Sequence, residues 1–469
     1  MPKQTPRTFP GFYETRKRSR VEAAGQECPA WEGTLSELRA NRLAIEGGLP
    51  LRSEPLPWEF PGANWIGAEE RALIDRVVAA RSPFRYYGPD LQGLVAQAEG
   101  DWCAAFGHRH ALAVASATAG LSVALSALGL GPGDEVLLPG CLWVSCLSAI
   151  VRCGAIPRLV DIDASFGLDP ADLKRKIGPR SRAVLAVHMS GGACRIEEIA
   201  AICRAEGLAL VEDCAQAAGA SVSGRAVGRF GDIGVFSFQL NKTMTTGEGG
   251  LLVCEDPALY DRLVALHDLG YARDGDGRLM TEREGCQLWG LGARMSELSG
   301  ALLVAQIAKL PRIVQALRRA KQTLLEALVD LPGLAFRRHP DPAGDSGAAM
   351  ILLFPDGETA GRFAEALRAE GIAGPPGSLL CSPLQDWGLH WYDKIPSLTE
   401  RRSNSRDGFP WSHPANAFAA DYTYGAGTLP VCDALRDRGM ILQIGSTWSA
   451  ADLDDVVAAF RKVARVLLA

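Results

Sequence analysis

The chain has 469 residues, 47% of them hydrophobic and 22% charged, with a formal net charge of −5. That length carries a large core and at least two domains, and the slight acidic excess offers no basic field for nucleic acid. No apolar run approaches the roughly 18 residues of a membrane span, and Met1 to Arg20 is basic and proline-containing without the apolar stretch of a secretory signal.

Residues 1–60 mix Pro, Arg and Glu with little periodicity and read as an N-terminal extension. Glu69–Ala80 has the spacing of an amphipathic helix. From about residue 110 to 255, short apolar strands alternate with helices. Strands are expected at Ala111–Ala115, Glu135–Leu138, Ile156–Asp161, Ala183–Val187, Leu208–Glu212 and Ile233–Phe238. Helices are expected at Ala119–Leu128, Leu147–Val151 and Ile196–Glu206. This α/β alternation predicts a mostly parallel central sheet with helices on both faces. Ligands of such sheets bind beyond the carboxyl ends of the strands. The sheet belongs to a large domain, residues 61–315. A long helical region, Met295–Leu328, then leads into a smaller C-terminal domain, residues 316–469, with a strand at Met350–Phe354 and helices at Thr359–Glu370 and Asp452–Leu468. Gly374–Gly427 is rich in Pro, Gly, Trp and Tyr and has no period. A connection that long inside a compact domain, with that aromatic content, points to a substrate loop. The twelve cysteines are scattered without Cys-x-x-Cys pairs, which argues against a disulfide framework or a metal site and for a cytoplasmic protein with reduced thiols.

The chemistry gathers at the expected strand ends. Ser116-Ala117-Thr118-Ala119-Gly120 joins the first strand to a helix, where small residues let backbone N–H groups approach a phosphate. The alternative is an ordinary helix cap by Ser116 or Thr118. Trp143 follows the second strand and can stack on a planar ring or simply pack in the core. His188 ends another strand and lines the cleft or bonds a loop. Asp213 closes the run Leu208–Val211, and Lys242 follows 29 residues later, between an apolar strand and the turn Gly247-Glu248-Gly249-Gly250. An amine that can form a Schiff base, with a carboxylate one strand away, is what pyridoxal phosphate requires. Ala215 is small enough to cover one ring face, and Gln216 can reach the ring hydroxyl. His390, Trp391, His413 and Tyr422 are candidate substrate contacts, the alternative being solvent-facing loop residues.

Five segments, Ser116–Leu121, Gly131–Val136, Glu212–Ala217, Gly231–Phe238 and Lys242–Gly250, resemble the DegT/DnrJ/StrS family. The similarity runs from about Phe60 to Leu310 with all motifs in family order, and continues more weakly to the C-terminus. It implies a fold-type I pyridoxal-phosphate enzyme of the sugar and cyclitol aminotransferases. It further implies that Lys242 is the Schiff-base lysine, Asp213 the pyridinium partner and Gln216 the partner of the ring hydroxyl. Ser116, Ala117, Thr118 and Ser237 would hold the phosphate, and Trp143 would stack. The family's sugar 3-dehydratases carry histidine in place of this lysine, which argues against dehydration. Two departures stand out. Ala117-Thr118 replaces the family's Gly-Thr, and Gly290-Leu291-Gly292-Ala293-Arg294 lacks the asparagine that contacts the phosphate from a partner chain, leaving Arg294 for that role. The resemblance also implies a homodimer with shared active sites and glutamate or glutamine as amino donor. For the acceptor it divides. Phe84–Gly88, Val187–Gly191 and His390-Trp391 are similar to a subgroup that aminates an eight-carbon ulosonate, whereas Ile45–Arg52 resembles members from antibiotic pathways. The competing activity is non-transaminase chemistry (elimination, lyase or cyclisation) on the same site; a non-catalytic sensor is the third reading.

Overall fold

A computed structural model describes residues 42–468; residues 1–41, most of the expected extension, and Ala469 lie outside the described residues. Helices α1 (Ala68–Ala80) and α2 (Leu94–Phe106) precede β1 (His110–Val114). Then α3 (Ala117–Ala127), β2 (Glu135–Pro139), α4 (Val144–Cys153), β3 (Ile156–Val160), α5 (Pro170–Lys176), β4 (Ser181–Val187), α6 (Ile196–Glu206) and β5 (Ala209–Asp213) alternate. A short ribbon of β6 (Ser221–Val222) and β7 (Arg225–Ala226) leads to β8 (Ile233–Ser237) and β9 (Gly250–Cys254).

The central sheet has seven strands in the order β1-β9-β8-β5-β4-β2-β3. Strands β8, β5, β4, β2 and β3 run parallel, and β9 is antiparallel to both its neighbours. Helices cover both faces, so the strands are apolar throughout rather than alternating with polar residues. Val136, Leu138 and Val211 pack into the core on one face with Leu121 and Cys146. Leu137, Val184 and Leu210 point to the other face and pack with Ile199 and Phe236.

After α7 (Pro257–His267) and a ribbon of β10 (Ala272–Arg273) and β11 (Leu279–Met280) comes α8 (Glu297–Leu328). This helix has the length and apolar content of a membrane span. Its apolar residues are nonetheless spent on two cores. Leu303, Ile307 and Leu310 pack under the central sheet, and Ile313, Leu317, Leu324 and Leu328 pack in the C-terminal domain. The expected boundary at 315 therefore falls inside one continuous helix.

The C-terminal domain holds β12 (Ala335–Phe336), β13 (Ala349–Leu353), α9 (Gly357–Ala369), β14 (Cys381–Pro383), α10 (Pro396–Thr399), α11 (Pro430–Asp437), β15 (Gly439–Gln443) and α12 (Ala450–Leu467). Its antiparallel sheet has the order β12-β13-β15-β14. The described part of the expected extension is built into this domain. Leu43 and Leu56 are buried in its core beside Phe460, and Glu370 accepts the N–H groups of Ala44 and Leu51 at 2.8 and 3.3 Å. Arg52 pairs with Asp452 and Asp455. Gly374–Gly427 is an ordered stretch of 3₁₀ turns (Leu384–His390, Tyr392–Lys394, Pro414–Ala419), with β14 and α10 among them.

Candidate active site

A cleft of about 610 Å³ opens where the carboxyl ends of β4, β5 and β8 face the C-terminal domain. The turn from β1 into α3 forms one end of it. Ser116 caps α3 by accepting the Ala119 N–H at 3.2 Å. The N–H groups of Ala117 and Thr118, in the first turn of the helix, have no acceptor among the described residues, as helix geometry requires of that turn. Ala117, Thr118 and Ser237 line the cleft. Strand β9 passes beside this turn because Gly250 has no side chain. A Cβ there would sit 2.6 Å from the Ala117 nitrogen.

Asp213 ends β5 with both carboxylate oxygens engaged. Oδ1 accepts the Ala215 N–H at 2.9 Å, and Oδ2 accepts the Cys146 thiol at 3.0 Å. Burial, reinforced by the Asp213 charge, holds the Cys146 thiol well above the ordinary value, so it stays a donor. Lys242 is half-buried on the cleft wall. Desolvation pushes its ammonium below the ordinary lysine range, while the Asp213 carboxylate works in the opposite direction. An amine so placed is more readily available in its neutral, nucleophilic form.

Trp143 stands 41% exposed at the start of α4, so its ring is a cleft wall and not core packing. His390 lies against it, ring centres 4.8 Å apart, and stacks on Trp387 at 4.4 Å. The Trp387 carbonyl lies 2.9 Å from His390 Nδ1 and can only accept, so the proton sits on Nδ1. Nε2 is then a lone pair facing the Gln216 amide nitrogen at 3.3 Å. Burial drives this imidazole down to about 4, which agrees with the neutral form. Gln216 Oε1 in turn accepts the Ser190 N–H at 3.1 Å.

Several expected contacts lie elsewhere. His188 is at the cleft floor, but its ring is buried beneath it. Nδ1 accepts the Cys194 N–H at 3.3 Å, and Nε2 donates to Glu212 at 3.0 Å. Glu212 also accepts from Gly228, Phe230 and Gly231, so the cluster His188–Glu212–Cys214 is a hydrogen-bonded brace under β4 and β5. Trp391 is fully buried and donates Nε1–H to the Leu384 carbonyl at 2.6 Å. Its neighbour His390 takes the cleft side instead. Tyr422 donates to Glu135 at 2.6 Å, at the amino end of β2 and thus opposite the cleft. His413 caps the turn Pro414–Ala419, whose Ala415 packs near Gly133 at that same end. Neither Tyr422 nor His413 reaches the site. Arg294, expected to act at a partner chain's phosphate rather than in its own cleft, pairs with Asp268, which also holds Arg273.

Other lining residues carried no distinctive sequence signal: Gln239, Asn241, Glu248, Asp386, Trp387 and Gln443. Cys146 was not singled out for the site either; its one signal is its place in the first turn of α4, three residues after Trp143.

Comparison with known proteins agrees with this geometry. Residues 83–376 match the DegT/DnrJ/EryC1/StrS aminotransferase family. The chain is 33% identical over 437 residues to an L-glutamine:2-deoxy-scyllo-inosose aminotransferase of Streptoalloteichus tenebrarius, covering 90% of this chain and 97% of that one. It is 35% identical over 341 residues to an L-glutamine:scyllo-inosose aminotransferase of Streptomyces griseus, covering 70% and 78%. Among solved structures, the aminotransferase TlmJ from Streptoalloteichus hindustanus superposes with a TM-score of 0.68 at 27% identity, covering 86% of this chain and 98% of that one. With a lysine and a carboxylate at the strand ends and a match through both, the chain belongs to the DegT/DnrJ/EryC1/StrS aminotransferase family.

Proposed function

We propose that the chain is a pyridoxal-phosphate-dependent aminotransferase that takes nitrogen from L-glutamine and delivers it to an uncharged cyclic polyhydroxy ketone of the inosose type. One observation carries the choice of substrates. Lys242 is the only lysine or arginine among the described residues that line the cleft. Glutamine is a zwitterion without net charge, whereas glutamate carries an extra carboxylate. A nucleotide-linked sugar brings a diphosphate and an ulosonate a carboxylate, and buried anions need cationic partners. The relatives named above act on L-glutamine and inososes, and this chain's own wall of the cleft, apart from the arginine a shared site would add, offers no second cation among the described residues.

The cleft suits the cofactor on three counts: two backbone N–H groups without acceptors at a helix N-terminus, a lysine held toward its neutral form, and a carboxylate fixed from two sides. Bound there, pyridoxal phosphate supplies an aldehyde for the amine and a ring that accepts electrons. Ala117, Thr118, Ser116 and Ser237 would hold its phosphate. Asp213 would keep the ring nitrogen protonated. Gln216 would meet the ring hydroxyl, with Trp143 and Ala215 covering the ring. The Lys242 amine, once free, would take the proton from the donor Cα, a general acid–base role worth roughly 10²–10⁴-fold. A homodimer belongs to the same reading. Trp289 is 94% exposed and Leu291 52% exposed on the loop leading to Ala293 and Arg294, a surface suited to a second copy. Sedimentation of the purified protein is expected to give a dimer.

The test follows the cofactor's absorbance. L-Glutamine is expected to convert it to the amine form faster than L-glutamate does, and 2-deoxy-scyllo-inosose or scyllo-inosose to restore it. Restoration by a nucleotide-linked keto sugar but by neither inosose would overturn the acceptor assignment. A cofactor band that no donor changes would point to the non-transaminase reading.

A further inference from the structure

Gln216 is held from below by a turn whose shape its own residues do not favour. Ser190 adopts φ 51°, in the left-handed region that non-glycine residues avoid. Such a conformation persists only where the surroundings impose it. Arg337, just past β12 in the C-terminal domain, grips this turn from both sides. Its guanidinium is buried, with Nη1 donating to the Met189 carbonyl at 2.5 Å and Nη2 to the Gly192 carbonyl at 3.1 Å. The two carbonyls bracket Ser190 and Gly191. Gly191 N–H donates to the Gln216 carbonyl at 2.9 Å, and Ser346 N–H to the Gly191 carbonyl at 3.0 Å. A side chain at position 192 would have no room, because a Cβ on Gly192 would lie 2.6 Å from His339 Nδ1 and 3.1 Å from Arg337 Cζ.

The result is a polar path with every direction fixed. The Ser190 N–H is aimed at Gln216 Oε1, so the amide cannot flip without losing that bond and facing a lone pair on His390. The Gln216 NH₂ then gives one hydrogen to His390. The other has no acceptor among the described residues and is left for a ligand.

We propose that Arg337 is a positioning residue for transamination: by clamping Met189 and Gly192 it fixes the Ser190 N–H, and through it the orientation of the Gln216 amide in the active site. The ligand half of this inference rests on the cofactor reading above; the clamp itself does not.

Two measurements on Arg337→Met and Arg337→Lys test it, with Leu352→Ala, on the opposite face of the same small sheet, as a control for lost packing. The first is hydrogen exchange of the peptide carrying residues 188–192 in the cofactor-free protein. Arg337→Met is expected to exchange there about tenfold faster than the control, with Arg337→Lys between the two because an ammonium lacks the rigid two-nitrogen fork that spans both carbonyls. The second is the pH titration of the visible band of the cofactor-loaded enzyme. Its midpoint in Arg337→Met is expected to move in the same direction as in Gln216→Leu, and in the control not at all. If Arg337→Met does not fold, Arg337→Lys carries both comparisons. Exchange no faster than in the control would overturn the clamp, and an unmoved midpoint would overturn its link to Gln216. A wild-type protein that shows no visible band after pyridoxal phosphate is added refutes the cofactor reading, and the exchange result alone then decides the clamp.

Discussion

Lys242 and Asp213 divide the chemistry by environment: one is a base kept short of protons by its surroundings, the other an acid fixed by an N–H and a thiol. Lys242→Ala is expected to abolish turnover while the circular dichroism spectrum and melting temperature stay near those of the native protein. Asp213→Ala is expected to keep folding and lower kcat by roughly 10²–10³-fold, the usual magnitude for losing a preorganised electrostatic group. Cys146 allows a finer test. Cys146→Ala removes one donor from Asp213 and is expected to cost about 1 kcal/mol of stability, with Cys146→Ser restoring most of it. Equal melting temperatures for the two variants would mean that the thiol only fills space. Lys242, Asp213, Trp143, Ala215 and Gln216, singled out in the sequence, all line the cleft because each lies at or beyond a strand end, and strand ends can be read from apolar runs. The sequence could not separate His390 from Trp391. Adjacent residues in a 3₁₀ turn point to different sides, and only the packing of Leu384 and Trp391 shows which one goes in.

Among the elements, those with a long regular period were legible and those held by side chains were not. The expected helix Ile196–Glu206 has the observed bounds, and the six expected strands of the central sheet lie within two residues of expectation at each end, whereas the antiparallel β9 was not expected. Their signals are local: apolar runs between turn residues. The stretch Gly374–Gly427 gave no period because its short turns are fixed by distant partners, such as Asn416 accepting the Gly133 N–H and donating to the Gly154 carbonyl. Tyr422 and His413 were misassigned for the same reason, since nothing local says which end of a sheet a loop will cover. Helix α2 shows how far such partners reach. Its first two N–H groups, Leu94 and Val95, are capped from across the fold by Glu297, fully buried at the start of α8, at 2.7 and 3.0 Å. Glu297→Ala strands both donors and is expected to cost about 2–4 kcal/mol, read as a lower denaturant midpoint with an unchanged slope.

For the molecule as a whole, acidity is the exposed flank. Burial holds His108 and His390 down to about 4 and His267 and His339 to about 3, with nearby arginines reinforcing the shift at His108, His267 and His339. Unfolded, these rings take up a proton near pH 6.5. Between that value and the folded ones the unfolded chain binds more protons, so stability is complete above about pH 6.5 and declines as the pH falls toward 4 and below. The melting temperature is expected to be level from pH 8 to 7 and to drop steadily under pH 6. His108→Leu, in the aromatic nest of Trp102 and Phe236, is expected to flatten part of that drop.

The segment carrying Leu43 and Leu56 has a consequence for how the protein is made. Its partners include Phe460 and Val463 on α12, about four hundred residues away along the chain. On the ribosome those leucines emerge that many residues before their partners do. The C-terminal domain therefore closes only once α12 has been made, and a nascent chain stalled before it would expose an unfinished apolar surface to chaperones and proteases.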